Sequence, residues 1–275
     1  MTRRVAVVTG GMGGLGEAIC LKLAAMGNQV VTTHSPANTR SAEWIKEMKA
    51  KGHDMRAVPV DVADFDSCQK AVAKIESEAG PVDILVNNAG ITRDMTFKKM
   101  GKVDWDAVLR TNLDSVFNMT KPVCDGMVER SWGRIINISS INGAKGAFGQ
   151  TNYSAAKSGM YGFTKALALE VARKGVTVNT ISPGYIGTKM VLAIPRRCST
   201  RRSFRRSPSD GSAGRRKWPV SSPTSARRRR PSSPAPTSRS TAASTCTKIV
   251  SSFEFRVLSC KKPTEERICR LFSIP

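Results

Sequence analysis

Val5-Ala6-Val7-Val8 runs directly into Thr9-Gly10-Gly11-Met12-Gly13-Gly14-Leu15-Gly16. A stretch with helical apolar spacing (Ala18, Ile19, Leu23, Met26) then continues until Gly27. A short, unbroken apolar run suits a strand buried on both faces, and the Gly-rich turn carries the chain from that strand straight into a helix. The pattern recurs. Gln29–Thr33, Met55–Val60, Asp83–Asn87, Arg134–Ile138 and Thr177–Ser182 read as strands. Ser41–Ala50, Asp66–Glu78, Asp104–Glu129 and Asn152–Lys174 read as the helices between them, the third interrupted at most by Pro122. Strands of this type alternating with helices predict an α/β fold with a doubly wound, Rossmann-like parallel sheet. Ligands of such a sheet bind at the carboxyl ends of its strands.

The pattern ends near Pro195. Residues 196–275 carry 20 Lys and Arg against 4 Asp and Glu, with 17 Ser and 8 Pro. Such a composition buries too little apolar surface to offset chain entropy, so the C-terminal part is expected to be atypical and disordered. The expected organisation is one α/β domain over 1–195 and a basic tail over 196–275. No apolar run approaches the ~20 residues that span a bilayer, and Arg3-Arg4 precedes too short an apolar run for a signal peptide. The seven cysteines form no CxxC pair and read as reduced thiols of a cytoplasmic protein. His34 and His53 have no ligand spacing, so no metal is expected. Arg227–Arg230 and the other Arg pairs give the tail a polycation's affinity for nucleic acid or anionic membrane. The tail holds no recognisable binding module, so neither a specific nucleic acid nor a membrane is expected as partner.

The chemistry-bearing residues fall at strand ends. Gly10, Gly14 and Gly16 have the spacing G-x-x-x-G-x-G between strand and helix, where backbone can approach a pyrophosphate at the helix N-terminus. Glycines here also simply pack helix on strand. After the second strand, Thr32-Thr33-His34-Ser35 holds no carboxylate for a ribose hydroxyl, and Arg40 follows. A cation suits the 2′-phosphate of NADP; Arg40 can equally cap or solvate the next helix. Asp61-Val62 stands where an adenine would lie. Asn87-Asn88-Ala89-Gly90 suits a wall against a cofactor, or plain turn chemistry. Tyr153 and Lys157 share a helix face at i, i+4. A nearby ammonium lowers a phenol's pKa toward neutral acid–base work. Ser140 ends the fifth strand, placed to hold a substrate carbonyl.

Thr9–Gly16, Asn87–Gly90, Asn112, Ser140, Tyr153 with Lys157, and Pro183-Gly184 together resemble the short-chain dehydrogenase/reductases over residues 1 to about 195. Within that family, Asn87–Met100, Trp105–Val108, Gly133–Gln150 and Thr151–Lys157 resemble the acetoacetyl-CoA reductases of polyhydroxybutyrate synthesis. The 3-oxoacyl-acyl carrier protein reductases are close neighbours. The resemblance implies NADPH as cofactor and an acyl-CoA as substrate, acetoacetyl-CoA being reduced to (R)-3-hydroxybutanoyl-CoA, in a homotetramer. It implies that Tyr153 is the acid, that Ser140 binds the carbonyl oxygen, and that Lys157 depresses the Tyr153 pKa and binds the nicotinamide ribose. Asn112 would hold a water of the proton relay. It further implies a cofactor site of Gly10, Met12, Gly13, Gly14, Leu15, Gly16, Arg40, Val60, Asp61, Val62, Asn88, Ala89, Gly90, Ile91, Thr92, Pro183, Gly184 and Ile186. Asp94, Ala147, Phe148, Gly149, Gln150 and Tyr185 would shape the acyl-CoA site. Ser35 departs from the small Gly associated with the close relatives.

The family pattern stops abruptly after Ala193-Ile194-Pro195, and the genetic code offers a reason. Let each hidden codon take the third base of one visible codon and the first two of the next. Arg196–Ser199 then can hide EVL, and Phe204–Pro219 can hide PQIPVGRLGRPEEVA. Arg227–Cys246 can hide EEAAFVTGANISINGGQHM, Cys246-Thr247 can give Tyr, and Thr247-Lys248 can give a stop. These strings resemble the family's missing helix, final turn and last strand. Residues 196–248 are therefore expected to be a frameshifted C-terminus, and 249–275 read-through.

Overall fold

The computed structural model describes residues 3–184. The readings of Tyr185, Ile186 and residues 196–275 lie outside that range. Six strands, β1 (Val5–Thr9), β2 (Gln29–His34), β3 (Met55–Pro59), β4 (Val82–Asn87), β5 (Gly133–Ile138) and β6 (Val176–Ile181), form one sheet in the order β3-β2-β1-β4-β5-β6. Every pairing is parallel. Strand order reverses direction between β1 and β4, so a crevice opens there at the carboxyl edge. The helices are α1 (Gly14–Ala25), α2 (Ser41–Ala50), α3 (Phe65–Ala79), α4 (Lys102–Leu109), α5 (Ser115–Glu129), α6 (Ile141–Lys145) and α7 (Thr151–Val171).

Successive strand residues point to opposite faces, and both faces are apolar. Val5, Val7, Val31, Leu85, Ile135 and Val178 pack on α3, α5 and α7 through Val72, Ile75, Met119, Val123 and Met127. Their alternates Ala6, Val8, Val30, Val86, Ile136 and Ile138 pack on α1 and α2 through Ile19, Leu23, Trp44 and Met48. At the amino end of the sheet, the Trp132 ring lies between two guanidiniums, with Arg4 Cζ 3.3 Å and Arg134 Cζ 4.5 Å from its centroid.

One row of the sheet interior is polar. Asn87 on β4 pairs in register with Asn137 on β5, and Asn137 with Thr180 on β6. Asn87 Nδ2 donates to Asn137 Oδ1 (2.9 Å) and to Thr120 Oγ1 of α5 (3.1 Å). Asn137 Nδ2 donates to Thr164 Oγ1 of α7 (2.8 Å), which also accepts from Thr180 Oγ1 (2.7 Å). This rung fixes α5 and α7 against the strand ends.

The expected long helix over 104–129 needs correction. It is not broken at Pro122, which sits inside α5. The irregularity is a π turn at Arg110–Asp114, between α4 and α5. Proline costs one intrahelical hydrogen bond, but buried Met119, Val123 and Met127 hold α5 on the sheet on both sides of it.

The turn from α7 into β6 depends on Gly175, which has φ +72°. A Cβ there would overlap the Ser131 carbonyl oxygen, which is backbone and has no rotamer by which to retreat. Gly175→Ala is expected to cost roughly 3 kcal/mol. Thermal unfolding checks this: a melting temperature equal to the parent's contradicts it.

Candidate active site

Four chain segments meet at the carboxyl edge of β1, β4 and β5. The Gly-rich turn leaves β1, and its Gly16 lies so close to neighbouring backbone that a Cβ would stand 2.5 Å from the Gly10 carbonyl oxygen and 2.8 Å from Asn88 Nδ2. Thr9 locks this turn to the end of β4. Its Oγ1 accepts from the Asn88 and Ala89 amides, both at 2.9 Å. Asn88 Nδ2 returns bonds to the carbonyls of Thr9 (2.9 Å) and Gly10 (3.2 Å). Gly13 is the extended residue preceding α1 and supplies no side-chain cap, while its carbonyl accepts from the Gly16 amide (3.0 Å), so the Gly14 and Leu15 amides have no side-chain cap. Met12 and Leu15 flank it, packed against the α1–α2 core.

The segment after β4 is braced by Asn112, which is fully buried in the π turn. Asn112 Oδ1 accepts from the Ile91 amide (2.7 Å) and its Nδ2 donates to the Ile91 carbonyl (2.9 Å). A Cβ on Gly90 would lie 3.1 Å from Asn112 Oδ1 and 3.6 Å from Lys157 Nζ, so Gly90, Asn112 and Lys157 adjoin. Thr92 is half-buried beside them.

Ser140, Tyr153 and Lys157 converge. Ser140 follows β5 in extended conformation and caps α6, its Oγ accepting from the Asn142 amide (3.1 Å). That bond occupies an acceptor lone pair and leaves the hydroxyl proton free to be donated. Tyr153 is largely buried, which pushes its phenol up; a hydrogen bond with Ser140 pulls it down, and Asp94 raises it further. Lys157 Nζ donates to the Ile138 carbonyl (2.8 Å) and stands 5.7 Å from the Tyr153 ring centroid. Burial pushes the Lys157 amine down to about 8. The net shift of the Tyr153 phenol is upward, with burial the largest cause. Both groups are desolvated, and desolvation opposes each one's charged form.

On the substrate side, Gln150 Nε2 donates to Asp94 Oδ2 (2.7 Å), and Gln150 Oε1 accepts from Asn142 Nδ2 (2.9 Å). The Gly149 carbonyl accepts from the Met95 amide (2.8 Å), which ties the 147–150 loop to the 91–96 segment. Phe148 is 93% exposed and Ala147 half-buried on the rim of that loop. Pro183 closes the opposite side, its carbonyl accepting from the Ile141 amide (3.0 Å), with Gly184 next.

The remaining candidates lie after β2 and β3. Val60 is buried at the end of β3, with its amide on the His34 carbonyl (2.8 Å). Asp61 Oδ1 holds the Ala63 amide (3.0 Å), and the Val62 carbonyl accepts from Asn118 Nδ2 (3.0 Å). Arg40 immediately precedes α2 on the surface, its Nε 3.2 Å from Glu43 Oε2. Among the described residues, no three His, Cys, Asp or Glu side chains converge as a metal requires, and no helix is long and apolar enough to cross a membrane.

The short chain dehydrogenase profile matches residues 4–198. The chain belongs to the short-chain dehydrogenase family. That family's NAD(P)(H) coenzymes fit the cradle described here: the glycine approach leaves no space for a side chain, and the amides at the start of α1 carry no side-chain cap. Among relatives, the acetoacetyl-CoA reductase of Cupriavidus necator is 61% identical over 194 residues, covering 70% of this chain and 79% of its own. Nodulation protein G of Azospirillum brasilense is 60% identical with the same coverage. A 3-oxoacyl-[acyl-carrier-protein] reductase of Synechocystis is 44% identical over 190 residues, covering 69% and 77%.

Sequence reasoning missed several residues. Tyr161 lies four residues beyond Lys157 on the same helix face, and its hydroxyl reaches the Ser140 carbonyl (3.0 Å) and Ser182 Oγ (2.8 Å). The continued i, i+4 spacing was the available signal. Ser139 Oγ donates to the Lys157 carbonyl (2.7 Å). Asn152 Nδ2 ties α7 to the carbonyls of Arg93 (3.2 Å) and Asp104 (3.3 Å). Neither residue shows this role in sequence.

Below pH 8, Lys157 is protonated in folded and unfolded chains alike, and the folded state carries the full desolvation cost, on the order of 3 kcal/mol. Between about 8 and 10.5 the folded chain loses this proton first, so stability rises with pH through that window. Lys157→Met is expected to melt above the parent at pH 7, even though it leaves the Ile138 carbonyl unpaired. The gap should close as pH approaches 10.5. A variant that melts below the parent at every pH contradicts a net cost of burying this amine.

Proposed function

We propose that the chain's site reduces the 3-keto group of acetoacetyl-CoA to (R)-3-hydroxybutanoyl-CoA with NADPH, as in polyhydroxybutyrate synthesis in the cytoplasm. The observation that carries the reading is the convergence of Ser140, Tyr153 and Lys157 beside the Gly-rich turn, in a chain 61% identical to an acetoacetyl-CoA reductase. The coenzyme, when bound, supplies the hydride. The Gly10–Gly16 turn would hold its pyrophosphate, Asp61 and Val62 its adenine, Arg40 its 2′-phosphate, and Asn88–Thr92 with Pro183 and Gly184 its nicotinamide half. Ser140, whose Oγ already accepts from Asn142, points its proton at the keto oxygen. Tyr153 gives its phenolic proton to that oxygen as negative charge develops there. Lys157 would hold its ammonium beside the phenol, stabilise the phenolate left behind, and pass back to it a proton drawn from solvent along a water held near Asn112. Asp94, Gln150 and Phe148 line the acyl-CoA side, and a tetramer is the expected assembly. The 44% relative favours a second carrier, acyl carrier protein, for the same chemistry. A side-by-side assay of the two thioesters separates these readings.

The tail bears on the test. The profile match ends at residue 198, and the alignment to the 61% relative leaves about a fifth of that relative unmatched. Both support the reading that residues 196–248 are translated out of frame and 249–275 lie beyond the original stop. The 275-residue chain is then poorly soluble and nearly inactive, and a one-base correction after the Pro195 codon restores turnover. In the corrected chain, Tyr153→Phe should lose essentially all turnover and keep NADPH binding. Normal turnover by that variant sinks the acid assignment. An uninterrupted frame on resequencing, with an active 275-residue protein, sinks the frame proposal.

Arg40→Ala should weaken NADPH at least tenfold more than NADH, because only NADPH presents the 2′-phosphate, and charged hydrogen bonds of this kind are worth about 1.5–3 kcal/mol. Equal weakening of both coenzymes in binding titrations makes Arg40 a surface partner of Glu43 alone.

A further inference from the structure

We propose that Thr32 is a positioning residue of the coenzyme site: from the neighbouring strand, its buried hydroxyl holds the Gly11 amide and thereby aims the Gly-rich turn at the coenzyme's pyrophosphate. The inference rests on the turn being the pyrophosphate site. Thr32 lies on β2, paired in register with Val8 on β1, and is fully buried. The strand is covered on both faces, Val30 and Val31 packing into its two apolar layers, so the buried Thr32 hydroxyl must find its partners within the protein.

Its hydroxyl is engaged in both directions. Oγ1 accepts from the Gly11 amide (2.9 Å) and donates to the Val8 carbonyl (3.1 Å). The Gly11 carbonyl in turn is 3.7 Å from the thiol of Cys20, one helical turn into α1. Burial pushes the Cys20 thiol up to about 12, so it stays neutral and can act as a weak donor. Both polar groups of Gly11 are thus held from beneath by side chains of β2 and α1. A Cβ on Gly11 would collide with Thr32 Oγ1 and stand 2.6 Å from Cys20 Sγ, so the glycine is seated directly on this pedestal.

The consequence is directional. With Gly11 N–H turned inward to Thr32, the peptide plane between Gly10 and Gly11 is fixed. Gly10 is pinned on its other side by its own amide, which donates to the Thr33 carbonyl (3.0 Å). Two adjacent β2 residues therefore set the exit angle of the turn, and the donors of residues 12–16 are pre-aimed before any ligand arrives. Without the Thr32 acceptor, the Gly11 amide is buried and unpaired. It regains a partner only if the turn rotates, and a pyrophosphate must then reverse that rotation in order to bind.

The test is calorimetric titration of the frame-corrected chain with NADPH, NADH and adenosine 2′-monophosphate, which keeps adenine and a 2′-phosphate but has no phosphate on the 5′ side. Thr32→Val removes the acceptor at constant shape, and Thr32→Ala removes it while leaving space. Each should weaken NADPH and NADH by the same factor, roughly fivefold or more, and leave the monophosphate within about twofold of the parent. Thr32→Ser, which keeps the hydroxyl, should restore both coenzymes. Unchanged coenzyme affinity in both variants, or an equal loss for all three ligands, overturns the positioning role. A parent chain that binds neither coenzyme overturns the coenzyme reading itself, and this inference with it.

Discussion

The polar rung through Asn87, Asn137, Thr164 and Thr180 lies largely buried at the carboxyl ends of β4, β5 and β6, and the candidate site hangs from it. In such surroundings an unpaired amide costs more than a paired one returns, so only one axial setting of α7 keeps every donor partnered. Hydrophobic packing alone tolerates small slides of a helix along a sheet; hydrogen bonds with fixed lengths do not. Tyr153 and Lys157 sit two to three turns toward the N-terminus of Thr164 on α7. Their height above β5 is therefore set by Thr164, and again locally by Ser139 on the Lys157 carbonyl.

The site draws its groups from elements far apart in sequence and locks them pairwise. Thr9 joins the end of β1 to the end of β4, Asn112 joins the π turn to Ile91, and Tyr161 joins α7 to the chain leaving β5 and β6. Each lock uses a side chain to hold backbone. Backbone so held brings Ser140, Tyr153 and Lys157 to one place and keeps the Lys157 amine buried. Burying that amine is unfavourable for stability.

Much of this was legible in the residues. Strands buried on both faces leave continuous apolar runs, and α2 has the bounds read from its spacing, Ser41–Ala50. Most other edges match or differ by one or two residues, and α7 ends three residues early because Ala172–Lys174 forms a 3₁₀ turn. The π turn was not legible, because proline is the only residue that announces a helix fault, and Pro122 is held in place by tertiary packing. Helix α6 was missed because Ile-Asn-Gly-Ala-Lys has no periodicity; it exists because Ser140 caps it. Among site residues, Tyr153 and Lys157 declared themselves through spacing. Thr32, Ser139 and Tyr161 act through contacts with distant backbone, which no local pattern encodes.

The π turn at Arg110–Asp114 holds one residue more than an α-helix of the same length needs. The wider turn absorbs that residue locally, so α5 keeps the face it would have on an unbroken helix, with Val116, Met119, Val123 and Met127 on the sheet and Thr120 at Asn87. What the extra residue changes is the turn itself, where Asn112 is carried onto the backbone of Ile91. Deleting one codon there would leave α5 seated on the sheet and cost the segment after β4 its brace. The fold tolerates the shorter helix; the site does not.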